Sequence, residues 1–273
     1  MSRFVLSCTT CSSRIHGSDE IWECFKHAPK AGYKAWGVAG PLFWTPGLIR
    51  WADLARIRNS ALEAGLEQCT EVYTSAFPNT SIAKAKQAAI DRAQIFHVAE
   101  ELGSPLVVMT GRPRLDLGLE ATIAGIKTLL PLIKNSSVKL ALEPHYGSQI
   151  QFIEDYEMIF DQIDSTQVGI TLDSGHLHSS QVDWKQLIHQ FPERILNFHV
   201  KDHLGNQSVP LGKGEVNLRG YIEDLDTIGY EGALAVELEV VDPENLPRYC
   251  AEAYVYLSDL VLEVTGRLPE DQL

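Results

Sequence analysis

Four apolar runs in the second half of the chain each finish on an ionisable residue. They are Lys139-Leu140-Ala141-Leu142-Glu143, Gly169-Ile170-Thr171-Leu172-Asp173, Ile195-Leu196-Asn197-Phe198-His199 and Ala233-Leu234-Ala235-Val236-Glu237. Short, aliphatic and bounded by turn residues, such runs read as buried strands. The second continues into Ser174-Gly175-His176, a polar segment with a glycine just before the histidine. Core packing alone gives no reason for four successive strands to end on a carboxylate or an imidazole. They are read together as one site fed by four strand ends.

The rest of the chain keeps the same cadence. Strands are expected at Phe4–Cys8, Tyr33–Val38, Glu71–Thr74 and Pro105–Thr110. Helical spacing of apolar residues recurs between them. A helix capped by Ser18 runs to Gly32, a second covers Leu48–Ala64 before Gly65, and a third runs from Thr80 or Ser81 to Gly103. Further helices fall at Leu119–Lys134, Phe152–Ile163, Trp184–Gln190 and Leu218–Ile228, and Pro243 opens the last. Strand then helix, eight times at intervals of roughly thirty residues, signals βα units around a parallel sheet. An open doubly wound sheet would carry G-x-G-x-x-G after its first strand, and none is present. The expected fold is therefore α/β, a (β/α)8 TIM barrel, with residues 1–273 as a single domain. In such a barrel the site lies at the carboxyl ends of the strands, where Glu143, Asp173, His199 and Glu237 stand.

Charge and cysteine usage narrow the partners. A net charge of −13 argues against a nucleic-acid partner, because phosphate binding depends on clustered Lys and Arg. No apolar run approaches the ~20 residues of a membrane span, so no membrane partner is expected. Five cysteines without a pairing framework, and an N-terminus without a signal-peptide apolar region, fit a reducing cytoplasm. A homo-oligomer is compatible with everything in the sequence.

Three carboxylates and one imidazole converging on one place repel one another unless a cation joins them. A divalent metal ion is the expected cofactor, held by Glu143, Asp173, His199 and Glu237. The oxygen-rich donor set favours Mn2+, Mg2+ or Co2+, with Zn2+ also compatible.

With Ala141-Leu142-Glu143, Leu172-Asp173-Ser174-Gly175-His176, His199-Val200-Lys201-Asp202 and Val236-Glu237-Leu238-Glu239, the chain resembles the sugar phosphate isomerase/epimerase family of xylose-isomerase-like TIM barrels. The resemblance implies the same four metal ligands and places His176 against substrate oxygen. It also implies that Glu143 and Glu237 exchange protons with the carbon beside a carbonyl. Chemically this is sound, since a metal-polarised carbonyl acidifies the neighbouring C–H. The implied activity is a metal-dependent isomerase or epimerase acting on a small sugar, polyol or sugar phosphate, and that small molecule is the expected partner. Lys201 and His145 are further substrate-contact candidates. Two departures stand out. The family often ends its second strand on Gly-Tyr-x-x-Val-Glu, where this chain has Gly32-Tyr33-Lys34-Ala35-Trp36-Gly37, and Asn206 stands where epimerases commonly carry Arg.

Competing readings remain at this stage. One is an inosose-dehydratase-like lyase, which the His199-Val200-Lys201-Asp202 segment favours. An endonuclease-like phosphodiesterase needs histidines where Tyr73, Thr74 and Thr110 stand, and a non-catalytic binding barrel would keep the metal alone. Taken singly, a strand-end carboxylate is more often a helix cap or a surface ion pair, and Glu239 shares the strand face of Glu237. Cys8 and Cys11 resemble a metal or redox pair without a completing ligand set and are expected to be structural. Trp36 and Trp44 are candidate walls for a sugar ring, His16 a candidate contact, and the segment Gly212-Lys213-Gly214-Glu215 a candidate backbone approach to ligand.

Overall fold

Alternation along a strand sends successive side chains to opposite faces. In β5 (Lys139–Glu143), Leu140 and Leu142 join the main apolar cluster, whereas Ala141 and Glu143 take the other face. The same division orders β6 (Val168–Asp173), β7 (Ile195–Val200) and β10 (Glu231–Val236). There Leu172, Phe198 and Leu234 pack outward while Thr171, Asp173, Asn197, His199 and Ala235 turn inward. A barrel with helices outside satisfies both faces.

The computed structural model describes residues 3–16, 19–38, 53–114 and 117–270. The first half comprises β1 (Arg3–Thr9), α1 (Glu20–Ala31), β2 (Ala35–Val38), α2 (Leu54–Ala64), β3 (Gln68–Thr74), α3 (Ile82–Leu102), β4 (Leu106–Thr110) and α4 (Glu120–Ile133). After β5 come α5 (Ile153–Gln162), β6, α6 (Ser174–Ser179), α7 (Trp184–Gln190) and β7. A two-stranded antiparallel hairpin, β8 (Asp202–Leu204) with β9 (Gln207–Val209), precedes α8 (Leu218–Thr227), β10 and α9 (Leu246–Thr265). Eight parallel strands close in the order β1-β2-β3-β4-β5-β6-β7-β10, and β10 returns to β1 through Arg3 to Cys8 against Glu231 to Val236. The chain is thus the single-domain (β/α)8 barrel that the sequence pattern predicts.

Local chemistry fixes the helix boundaries. Asp19 accepts the Ile21 N–H and starts α1, one residue beyond the expected cap Ser18, which lies outside the described residues. Asp53 caps α2 through Arg56 N; residues 48–52 of the expected helix also lie outside. Ser81 caps α3 through Lys84 N, and the helix ends on Gly103 at φ +75°, a left-handed position that disfavours other residues. Two elements have no clear periodic signal: α6, only six residues long, and the hairpin, whose three-residue strands are too short to show alternation.

Two β-bulges bear on the site. Between β2 and β3, Trp36 pairs with Cys69 but Gly37 pairs with Glu71, leaving Thr70 as the extra residue. Between β6 and β7, Ile170 pairs with Ile195 and Thr171 with Asn197. A bulge resets the facing of the residues after it. In β3 it lets Thr70 and Glu71 both turn inward: Thr70 bonds Ser7 across the barrel interior, and Glu71 reaches β7.

Candidate active site and metal centre

At the carboxyl ends of β5, β6, β7 and β10, ligand atoms of Glu143, Asp173, His199 and Glu237 all lie within 4.8 Å of one another. All four residues are buried. His199 Nδ1 is the hub, at 2.7 Å from Glu143 Oε1, 3.2 Å from Glu237 Oε2 and 3.8 Å from Asp173 Oδ2. Asp173 divides its two oxygens: Oδ1 accepts the His176 N–H at 2.8 Å and caps α6, while Oδ2 faces the cluster. The cap and the ligand candidate are therefore the same residue.

Lys201 closes the cluster from β7's end. Its Nζ lies 3.1 Å from Asp173 Oδ2, 3.1 Å from Glu237 Oε2 and 3.0 Å from Glu239 Oε2, with only 2% of the residue exposed. Burial opposes its charge, but Asp173, Glu237 and Glu239 outweigh burial and hold the ammonium well above its ordinary value. Burial likewise works against a charged His199, and Glu71, Glu143 and Glu237 override it. For Glu237, burial pushes upward while Lys201 and then His199 pull harder, holding the carboxyl well below its ordinary value. Glu239 is more open and also takes a contact from Cys11 Sγ at 3.6 Å. Cys11, Glu237 and Glu239 form a second compact donor set. Lys201 and Arg14 already neutralise it, and burial together with Glu237 and Glu239 keeps the Cys11 thiol protonated.

The four-residue set fits a divalent cation. Buried Asp173 Oδ2 and Glu237 Oε2 accept no hydrogen bond of good geometry, and each is met only by charge, with Lys201 Nζ at 3.1 Å. With Glu71 included, four buried carboxylates meet, among the described residues, two buried side-chain cations, Lys201 and a protonated His199. Such an excess of negative charge calls for a metal or for protonation.

The other expected contacts are arranged around this centre. His176 and His145 lie ring against ring, centroids 3.8 Å apart. Burial, then Lys201, lowers His176 to about 3, so its imidazole is neutral at ordinary pH. Tyr73, from β3, donates to Glu143 Oε2 at 2.5 Å. Asn197 and above all Glu71 were not singled out by sequence, whereas Glu239 stood there as the alternative to Glu237 and Tyr73 only as a position without histidine. Glu71 is fully buried, and its Oε2 accepts from Asn197 Nδ2 at 2.5 Å and faces His199 Nε2 at 2.8 Å. Gly37 carries no carboxylate, and the volume beside it is filled by the Glu71 side chain.

The remaining expectations fare differently. Trp36 is core, packed edge-on against Phe25 with centroids 4.8 Å apart, because its β2 position faces the helices. Trp44 and the His16 side chain lie outside the described residues. Gly212 and Gly214 approach a protein carboxylate: their N–H groups, with that of Val216, donate to Asp202. A Cβ on Gly214 would sit 2.1 Å from Asp202 Oδ1. Asn206 is an exposed residue of the hairpin turn. The five cysteines are buried and free; Cys8 packs in the main core while Cys11 meets Glu239, so they are not a pair.

A family model described as xylose isomerase-like TIM barrel matches residues 25–255. The chain belongs to that family. Among curated relatives, the inosose dehydratase of Clostridium perfringens is 28% identical over 157 residues, 50% of this chain and 52% of the relative. The chain thus matches about half the length of that relative. Two solved structures share the fold: an IolI protein with a bound zinc atom (TM-score 0.75, 17% identity, covering 97% of this chain and 100% of that one), and a D-allulose 3-epimerase from Methylomonas sp. in complex with D-allulose (TM-score 0.73, 15% identity, 95% and 98%). Among the described residues no helix is long and apolar enough to cross a membrane.

Proposed function

We propose that this xylose isomerase-like barrel is a metal-dependent isomerase or epimerase acting on a small sugar, polyol or sugar phosphate. The observation that carries the reading is the convergence of Glu143 and Glu237 from separate strands on His199 Nδ1, with Asp173 completing the donor set. Glu143, Asp173, His199 and Glu237 would hold a divalent ion, Mn2+, Mg2+ or Co2+ by their oxygen-rich chemistry and Zn2+ by likeness to the zinc-bound IolI fold. When bound, that ion supplies Lewis-acid polarisation of a substrate carbonyl and its neighbouring hydroxyl.

The chain's own groups do the proton work. One of the two glutamates removes the proton from the carbon beside the carbonyl, and the other returns one on the opposite face. The Tyr73 hydroxyl fixes Glu143 Oε2 and leaves Oε1 toward the centre. Neutral His176, its ring tilted against that of His145, offers substrate oxygen a hydrogen-bond partner without adding charge. Lys201 keeps Glu237 ionised, in the form that can accept a proton.

A lyase of the inosose dehydratase kind is the second reading, favoured by the buried ammonium of Lys201, a donor able to protonate a departing hydroxyl. Metal analysis of the purified protein, followed by incubation of a panel of ketoses and polyols in deuterated water, separates the two. Deuterium uptake beside the carbonyl that needs divalent metal and disappears in Glu143→Gln and Glu237→Gln supports the first reading. Formation of a chromophoric dione supports the second. Metal-loaded protein giving neither product across the panel refutes both.

A further inference from the structure

Glu71 is a buried carboxylate to which the proton chemistry assigns no task, and its surroundings define one. It projects inward only because of the β3 bulge at Thr70. Strict alternation from Cys69 and Thr70 would have turned it toward the helices. Opposite it in the register stands Gly37, whose added Cβ would lie 2.7 Å from both Cγ and Oε1 of Glu71. The glycine therefore makes the space that the carboxylate occupies. From there Oε2 meets His199 Nε2 at 2.8 Å and takes a second hydrogen bond from Asn197 Nδ2, while Oε1 accepts none.

An ionised carboxylate only accepts, so the His199 Nε2 facing it must carry hydrogen. The other ring nitrogen, Nδ1, is the one aimed at Glu143, Asp173 and Glu237. We infer that Glu71 is the positioning residue of the metal centre: through the Nε2–H bond it orients the His199 ring and reserves Nδ1 as the ligand, and Gly37 is the cradle that admits it. Outer partners of this kind fix the tautomer of a ligating histidine and raise its basicity. The inference rests on the metal reading of the preceding section for its consequence, but its geometry can be read without metal.

Three variants of the full chain test it, with Zn2+ and Mn2+ as probes. Direct titration calorimetry should show Glu71→Gln binding either ion about 10- to 100-fold more weakly than the parent. Gly37→Ala, which drives a Cβ into the carboxylate, should weaken binding in the same direction. The exchange Gly37→Glu/Glu71→Gly, which grows the carboxylate from the neighbouring strand into the same volume, should recover most of the loss. A purely structural role predicts no such rescue. Nitrogen NMR of histidine in Zn2+-loaded protein should show His199 protonated at Nε2 in the parent, and in metal-free protein the Nε2 proton should exchange slowly in the parent and rapidly in Glu71→Gln. Unchanged metal affinity in folded Glu71→Gln, or a His199 Nε2 proton indifferent to that substitution, overturns the assignment. If the parent binds neither ion while the metal-free proton signature holds, the metal reading fails and the Glu71–His199 bond stands.

Discussion

Replacing Lys201 by Met preserves much of the side-chain volume and removes its charge. The ammonium is 2% exposed and lies 3.0–3.1 Å from Asp173, Glu237 and Glu239, so its loss strips the buried Asp173 and Glu237 carboxylates of a cation and leaves them facing His199. Breaking a buried ion pair from one side costs about 3–5 kcal/mol, most of it the desolvation of the stranded charge. Urea unfolding of Lys201→Met in the presence of a chelator should therefore show a stability lower by that amount, with little change in denaturant slope. A divalent ion bound by the same carboxylates restores a cation to them. At a thousand times its dissociation constant such an ion stabilises the fold by ~4 kcal/mol, and with no ammonium to share the carboxylates the variant should gain more from it than the parent. The stability gap between variant and parent should thus narrow when Mn2+ replaces chelator. A gap under about 1 kcal/mol in chelator, or one that is the same with and without Mn2+, refutes the charge argument.

The same cluster sets the acid limit of the protein. Glu237 is held below its ordinary value, so the folded state binds fewer protons than the unfolded chain; the stabilisation is whole above the ordinary carboxylate range and is lost as pH falls through the folded value. Acid unfolding followed by circular dichroism should begin at a higher pH in Lys201→Met than in the parent, and coincident curves would contradict the assignment. His176, lowered to about 3 by burial and by Lys201, should remain neutral from about pH 5 to 8 in an NMR titration. A midpoint near its ordinary value of 6.5 would show that its ring is solvated instead.

The strand ends carried most of the legible site. Glu143, Asp173 and His199 close runs whose burial pattern is written residue by residue, and Glu237 follows directly on β10. Glu71 was hidden by its place: it opens the expected strand Glu71–Thr74 instead of closing it, and the site was sought at the closing ends. Trp36 misled for the opposite reason, since an aromatic near a strand end is equally compatible with a ligand wall and with the helix-facing core it joins. The glycines after β9 were marked as a backbone approach to ligand, whereas they approach Asp202, the first residue of a hairpin that has no periodic signature.

By itself, the sequence determined the elements that depend on neighbours a few residues away. These are the strand and helix cadence, the cap at Ser81, the closing glycines Gly65 and Gly103, and the polar ends of four successive barrel strands. Tertiary structure alone decided what depends on closure of the barrel. Closing the sheet brings Glu71 to His199 across 128 residues of chain and Glu143 to His199 across 56, and it encloses Lys201 among three carboxylates. Hydrophobic periodicity reports which face a residue prefers to bury. Which charge it will meet there depends on strand register and bulges, and so does the question whether a buried carboxylate serves as ligand, base or support for another ligand.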